Sequence, residues 1–373
     1  MTKGKALLVT LQGYFNYGNR LQNYALQELI KDLGYEVHTL MVENHLTTYA
    51  SVWDRCKFYV KHVFTKLGVK HFLVSYSQIL RKRRLFNFTK KYIDHLEFVS
   101  EDDVWTRNWD EYDCAVTGSD QVWHNWHTVK RELDYYYLRF TNEEKRVAYA
   151  PSFGFTEFPN EDIEDHRRGL MGIRALSCRE KEGCDMIREL TGREAERLLD
   201  PTLVLAREKW EKFEERPSFA VEDGKYIFTY FLGIITDEYK KEIDRVSKEC
   251  GYPVINASDM LTPEHYSITP SEFVWLIHHA AHVFTDSFHG TVFSLIYEKQ
   301  ATVFERVQEG ANRMFGRIRD LVSVLGMEQV LYGNEAFSRD KRGFKLSREA
   351  KAYLDGEREK AYQFLKENLI VQR

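Results

Sequence analysis

ALLVTLQGYFNYGNRLQNYALQELIKDLGYEVHTL, residues 6–40, decides the fold class. Its opening, Ala6-Leu7-Leu8-Val9-Thr10-Leu11, is a short apolar run of the kind that forms a buried strand. Gln12 to Asn19 carries Gly13 and Gly18 and reads as a loop. Leu21, Ala25, Leu26, Leu29, Ile30 and Leu33 then recur at helical spacing, and Gly34 stops the helix as a C-terminal cap. Glu36 to Leu40 resumes a strand. Strand, helix, strand within so few residues marks a βαβ unit and a parallel sheet.

The same alternation continues outward. Cys114-Ala115-Val116-Thr117, Val147-Ala148-Tyr149-Ala150 and Ala175-Leu176-Ser177-Cys178 read as strands, each followed by polar residues and a helical pattern. Between them, residues 50–100 read as a helical, aromatic and basic insertion, with Lys57, Lys61, Lys66, Lys70, Arg81-Lys82-Arg83-Arg84 and Lys90-Lys91. The plainer reading of that cluster is a solvated helix face; a membrane surface or lipid-linked partner is the minority one. Glu214 to Gly224 is polar, contains Pro217, and separates a second α/β series. There Tyr226–Phe231, Val254–Asn256, His282–Thr285 and Ala301–Phe304 are expected strands, and Asp237–Cys250 and Thr291–Glu298 expected helices. Thr269-Pro270-Ser271-Glu272 is a capping box with proline at the first helical position, predicting a helix to about Ala281. The expected organisation is two α/β domains, 1–205 and 206–345. A charged C-terminal helix within 346–373 is expected to cross back.

With 373 residues, two domains is the natural prior. A hydrophobic content of 43% is enough for real cores, and 14% aromatic residues suits either large cores or carbohydrate stacking. A net charge of −4 argues against a general nucleic-acid binder. Neither a signal peptide nor a spanning apolar run is visible, so a cytoplasmic location is expected, with the inner membrane face as the minority option. Five scattered cysteines without a Cys-x-x-Cys pair read as reduced thiols.

In open α/β sheets ligands bind outside the carboxyl ends of the strands. Four segments put polar groups there: Gly118-Ser119-Asp120-Gln121, Ser152-Phe153-Gly154, Arg179-Glu180 and Asp286-Ser287-Phe288-His289-Gly290. In the last, Asp286 or Ser287 caps a helix whose free amides and dipole suit an anion. His289 beside it can exchange protons near neutral pH. The plainer reading is a capping turn with a structural histidine. Arg179 can grip a phosphate or carboxylate, or else pair with Glu180 or Glu182. Asn312-Arg313-Met314-Phe315-Gly316-Arg317-Ile318 adds cations. Asn16, Asn19 and Gln22 can hold a hydroxylated ligand, or merely edge a tight turn. His278, His279 and His282 invite a metal, but no cysteine or carboxylate completes a set at usual spacing. They are therefore read as packing residues, with no metal and no cofactor expected.

Taken together, the segments resemble the polysaccharide pyruvyl transferase family. The resemblance rests on residues 16–26 (Asn16-Tyr17-Gly18-Asn19-Arg20-Leu21-Gln22 and onward), Gly118-Ser119-Asp120-Gln121-Val122-Trp123, Ser152-Phe153-Gly154, Arg179-Glu180, Asp200-Pro201-Thr202 and Thr285-Asp286-Ser287-Phe288-His289-Gly290. It implies a glycosyltransferase B-type architecture, two Rossmann-like domains facing across a cleft, with 1–205 on the acceptor side and 206–345 on the donor side. It also implies phosphoenolpyruvate as donor, and a sugar or lipid-linked oligosaccharide as acceptor. The product would be a pyruvate ketal on a bacterial surface glycan or exopolysaccharide. Many relatives carry Arg-Leu-His where this chain has Ser287-Phe288-His289, so the missing cation is sought at Arg317. The roles that follow are His289 as general acid, Asp120 as hydroxyl base, and Asp286 facing developing positive charge. Arg179, Arg317, Ser287, Gly290 and Thr291 fall to the donor, and Asn16, Tyr17, Asn19, Gln22, Ser119 and Ser152 to the acceptor. A B-type glycosyltransferase with a nucleotide-sugar donor is the alternative on the same fold, and a non-catalytic glycan-binding scaffold the third reading.

Overall fold

The computed structural model describes residues 2–14, 16–42, 70–129, 131–307, 315–340 and 343–369. Lys57, Lys61, Lys66, Cys56 and the Asn312-Arg313-Met314 segment lie outside them. The chain divides into two compact units. The first is Met1–Thr48, Asn87–Leu205 and Leu354–Arg373, and the second Tyr49–Phe86 and Ala206–Tyr353.

The first unit is built on a five-stranded parallel sheet in the order β3-β2-β1-β4-β5. Its strands are β1 (Gly4–Val9), β2 (Tyr35–Val42), β3 (Leu96–Val99), β4 (Cys114–Asp120) and β5 (Arg146–Pro151). Leu7 and Leu8 of β1 pair with Ala115 and Val116 of β4 and are wholly buried, as the unbroken apolar run requires. Helix α1 (Tyr17–Asp32) makes the first crossover, its Leu21, Ala25, Leu26, Leu29 and Ile30 all buried. A two-stranded pair, β6 (Ser177–Cys178) and β7 (Glu196–Arg197), extends the unit and leads into the short helix α3 (Pro201–Val204). Chain order reverses between β1 and β4, the point at which an open sheet of this kind leaves a crevice at its carboxyl edge.

The second unit holds a four-stranded parallel sheet, β11-β10-β8-β9. Here β8 is Ile227–Tyr230, β9 Val254–Asn256, β10 His282–Thr285 and β11 Ala301–Val303. Helices α4 (Asp237–Cys250), α5 (Pro270–His279), α6 (Phe288–Ile296) and α7 (Gly316–Val324) connect or follow these strands. The capping box at Thr269 is formed: the Glu272 amide donates to Thr269 Oγ1 (3.1 Å) and the Thr269 amide to Glu272 Oε2 (2.7 Å). The switch point falls between β8 and β10.

The basic stretch 50–100 departs from expectation twice. Leu96–Val99 is not helical: it is β3, an edge strand paired to β2, too short for its alternation to stand out. Of the helix α2 (Lys70–Tyr92), the portion up to Phe86 groups with the second unit, not the first. Arg81 is not solvated; it is buried within the second unit over the ring of Tyr266, 4.6 Å from its centroid. The final helix α8 (Arg348–Asn368) is counted with the first unit from Leu354 onward. There Arg358 donates to the Leu203 carbonyl (2.9 Å) and Lys360 to that of Arg197 (2.7 Å).

The aromatic surplus goes largely into cores. In the first unit Trp123 stacks on Tyr137 at 5.3 Å and meets Phe153 at 5.0 Å; in the second Phe284, Phe304, Phe231 and Tyr239 form a cluster. The four described cysteines are free thiols. Among the described residues no helix is long and apolar enough to cross a membrane.

Candidate active site

The carboxyl edge of the first sheet is an acidic pocket around one arginine. Arg179 lies just past β6, buried. Its Nε donates to Glu180 Oε1 (2.8 Å) and its Nη1 to Asp200 Oδ2 (2.8 Å), and its Nη2 stands 3.5 Å from Asp120 Oδ1. Burial alone would lower the guanidinium's pKa; Glu180, Asp120 and Asp200 outweigh it and raise the value. Three carboxylates therefore answer one cation. Arg179, expected to grip an anionic donor, has its positive charge met by these carboxylates.

Asp200 organises the pocket. Besides Arg179, its carboxylate accepts from the Thr202 amide (3.0 Å), Thr202 Oγ1 (2.6 Å) and Ser119 Oγ (3.3 Å), so it caps α3 as well. Ser119 Oγ also donates to the Ala150 carbonyl (2.7 Å), and the Ser119 amide to Gln22 Oε1 (2.9 Å). Gln22 in turn donates to Thr10 Oγ1 (2.5 Å) and the Asn19 carbonyl (3.0 Å). Ser119, Gln22, Tyr17 and Ser152 are thus buried parts of the scaffold. Asn16 accepts from the Gly18 amide (2.9 Å) and caps α1, leaving Asn16 and Asn19 half-buried at the rim. Asp120 sits at the end of β4 with a left-handed backbone (φ +67°), its carbonyl accepting from the Val122 and Ser152 amides at 2.8 Å each. Beyond it stands Trp126, 40% exposed, its indole N–H held by the Gln121 carbonyl at 3.2 Å. Sequence reasoning missed Trp126 because nothing in its spacing separates an exposed aromatic from a core one.

The second unit's edge is cationic. Thr285 closes β10, Ser287 caps α6, and His289 lies in the first turn, 3% exposed, with its ring 5.3 Å from Phe288. The Gly290 amide donates to Ser287 Oγ (3.4 Å) and the Thr291 amide to the Ser287 carbonyl (2.9 Å). Those amides, expected to hold an anion, are spent inside the helix turn. Asp286 departs from expectation too: its carboxylate accepts from the backbone amides of Leu232 (2.7 Å) and Gly233 (2.8 Å), fixing the loop after β8. Burial raises the Asp286 pKa, against the opposing pull of Arg306 and those amides. It positions a loop that only glycine fits, since a Cβ on Gly233 would stand 3.0 Å from Asp286 Oδ2 and 2.6 Å from Arg306 Cγ.

The cations come from three directions. Arg306, two residues past Phe304, donates to the Asp286 carbonyl (3.4 Å) with its Nε 3.7 Å from Asp286 Oδ2. Arg81 donates to the Tyr230 hydroxyl (3.4 Å) at the end of β8. Burial raises the pKa of that phenol, with Asp286 adding to the rise and Arg81 and Arg306 opposing it. Arg317 stands over Phe288, its guanidinium carbon 5.8 Å from the ring centroid. Arg306 was legible in principle, as a cation just past a strand; Arg81 was not, because it arrives from a helix about 150 positions earlier in sequence.

Gly290 permits this packing. A Cβ there would meet Thr285 Oγ1 at 2.4 Å and its Cβ and Cγ2 at 3.1 Å. Thr285 Oγ1 donates to the Tyr230 carbonyl (2.6 Å) and accepts from the Ser287 amide (3.0 Å), so it cannot yield cheaply. Gly290→Ala is expected to lower stability by about 1–3 kcal/mol, the usual cost of overpacking. A urea titration checks this; an unchanged midpoint would show that the turn relaxes freely.

Comparison with known proteins follows the geometry. The structure is similar to UDP-GlcNAc 2-epimerase from Methanocaldococcus jannaschii, with 9% identity, 94% of this chain and 99% of that chain covered, and a TM-score of 0.47. It is also similar to UDP-N-acetylglucosamine 2-epimerase from Rickettsia bellii (6% identity, 99% and 97% covered, TM-score 0.46). A third likeness is to UGT89C1 of Arabidopsis thaliana complexed with UDP (8% identity, 98% and 93% covered, TM-score 0.45). No curated protein matches the sequence. The family description "Polysaccharide pyruvyl transferase" matches residues 16–306, well over half the chain, a span that holds Asp120, Arg179, Asp200, Arg81, His289 and Arg306 but not Arg317. This chain belongs to the polysaccharide pyruvyl transferase family.

Proposed function

We propose that this transferase moves the enolpyruvyl group of phosphoenolpyruvate onto two hydroxyls of a sugar in a surface glycan or its precursor, forming a pyruvate ketal. One observation carries the donor assignment: Arg81 donates to the Tyr230 hydroxyl, Arg306 lies beside Asp286, and Arg317 stands over Phe288, at the carboxyl edge of the second unit's sheet. Phosphoenolpyruvate carries a phosphate and a carboxylate, and guanidinium forks suit both. The first unit's edge, with its excess of carboxylates, suits neutral hydroxyls and repels that donor. Trp126 offers an exposed indole face to a sugar ring.

The chemistry balances without any further reactant. His289 delivers a proton to the methylene carbon, and a sugar hydroxyl attacks the central carbon as the double bond is consumed. The carbon–oxygen bond to phosphate then breaks and inorganic phosphate leaves. A second hydroxyl closes the ring, losing its proton, and Asp120 is assigned to receive protons from the acceptor. Sugar diol and phosphoenolpyruvate become ketal and phosphate.

Titration calorimetry with phosphoenolpyruvate tests the donor assignment. Losing one charged hydrogen-bonding partner costs about 1.5–3 kcal/mol, or roughly 10- to 150-fold in affinity. Arg306→Ala and Arg81→Ala are each expected to weaken binding within that range, and Arg306→Lys less. Wild-type affinity in both alanine variants would sink the assignment.

A further inference from the structure

Away from the carboxyl edge, the second unit brings together residues that the sequence keeps far apart. His278 and His279 end α5. Glu214, 64 positions before His278, and Asp223, 56 before His279, come from the polar segment that precedes β8. His278 Nδ1 lies 3.0 Å from Glu214 Oε2, His279 Nε2 lies 3.4 Å from Glu214 Oε1, and His279 Nδ1 lies 2.9 Å from Asp223 Oδ2. One ligand atom from each of Glu214, His278 and His279 falls within 4.8 Å of the others.

We propose that Glu214, His278 and His279 bind a divalent transition-metal ion, with zinc as the expected occupant. Zinc bonds of about 2.0–2.2 Å in a tetrahedral arrangement put neighbouring ligand atoms roughly 3.4 Å apart, close to the two separations from Glu214 Oε1, 3.2 Å to His278 Nδ1 and 3.4 Å to His279 Nε2. Two imidazoles and one carboxylate are a borderline-soft set suited to zinc, not to magnesium or calcium. Water completes the fourth position. If His279 binds through Nε2, its Nδ1–H is donated to Asp223, the outer carboxylate that fixes a metal-bound imidazole.

The rings are held for this task. His278 stacks on Tyr297 with centroids 3.9 Å apart, and His279 stacks on Trp275 at 4.3 Å. The segment carrying the carboxylates is already stapled to the helix: the Gly224 amide donates to the His279 carbonyl (2.9 Å) and the Glu215 amide to the Ser271 carbonyl (3.2 Å). A metal here clamps residues 214–224 to the end of α5. A second histidine–carboxylate group, Glu36, His38 and His95, lies in the first unit and supplies an internal control.

The test uses the full chain, stripped with a chelator and titrated with zinc chloride, with melting followed in parallel. One zinc ion per chain and a higher melting point are expected. Glu214→Gln and His279→Gln should each lose at least 10-fold in affinity together with the melting shift. Asp223→Asn should lose 10- to 100-fold. His38→Gln should change neither. Cobalt in place of zinc should show the visible bands of a four-coordinate ion without thiolate charge transfer. Absence of stoichiometric zinc binding overturns the proposal. So does wild-type affinity in Glu214→Gln, loss confined to His38→Gln, or a thiolate signature. Should His279→Gln fail to fold, the Glu214→Gln and Asp223→Asn results decide alone.

Discussion

Asp200→Ala is expected to lower the melting temperature by roughly 5–16 °C. The Asp200 side chain is wholly buried and binds Arg179, which is itself buried. Removing it leaves Arg179 with Glu180 and Asp120 but breaks a charge-assisted hydrogen bond, at about 1.5–3 kcal/mol, and loss of the cap on α3 adds about 1 kcal/mol. In a domain of this size each kcal/mol moves the melting temperature by about 2–4 °C. Asp200→Asn retains an acceptor for Thr202 and Arg179, so its loss should be smaller. With the donor proposed at the second unit's edge, the asparagine variant should still bind phosphoenolpyruvate within about threefold of wild type. Scanning calorimetry and titration of the two variants check both halves. A melting change under about 2 °C for Asp200→Ala would mean the network holds little, and a collapse of donor affinity in Asp200→Asn would return Arg179 to the donor.

His289→Gln is expected to cut transfer by 10²- to 10⁴-fold while leaving the protein folded and donor binding intact. Glutamine fills similar space and can hydrogen-bond, but it cannot deliver a proton; general acid catalysis is commonly worth that factor. His289 lies in the first turn of α6, on the segment that also holds Asp286 and Phe288, the residues that Arg306 and Arg317 approach. The readout is acid-labile pyruvate on the glycan of cells whose chromosomal copy carries the variant, beside melting and phosphoenolpyruvate affinity of the purified protein. Near-normal pyruvate in cells making folded variant would remove His289 from the role. Loss of donor affinity with transfer would make it a binding residue instead.

The parallel α/β character was legible from local pattern. The apolar run of β1, the helical spacing of α1 and the capping box of α5 each report on their own residues, and all three formed as read. β3 was missed because four residues of an edge strand carry too little periodicity. At the site, position along the chain was readable but partners were not. Ser119 and Gln22 lie where rim residues should, yet each turns inward and finds the other across 97 positions. Arg179 was read with Glu180 beside it, while Asp120 and Asp200 reach it only through the fold. Arg81 was hidden in a basic run whose other members gave it an air of solvation, and its place over Tyr266 depends on helix packing that no local rule reports. His278 and His279 were discounted for want of a nearby carboxylate, and the carboxylates came from more than fifty residues away.

The most direct test of the central claim is thermal melting of the purified chain with phosphoenolpyruvate, UDP and GDP in parallel. A ligand at 100 times its dissociation constant stabilises the folded state by about 2.7 kcal/mol. With about 2–4 °C per kcal/mol, phosphoenolpyruvate is predicted to raise the melting temperature by roughly 5–11 °C, and the nucleotides by nothing measurable. Stabilisation by a nucleotide and none by phosphoenolpyruvate would contradict the account and assign the cationic edge to a nucleotide-sugar donor.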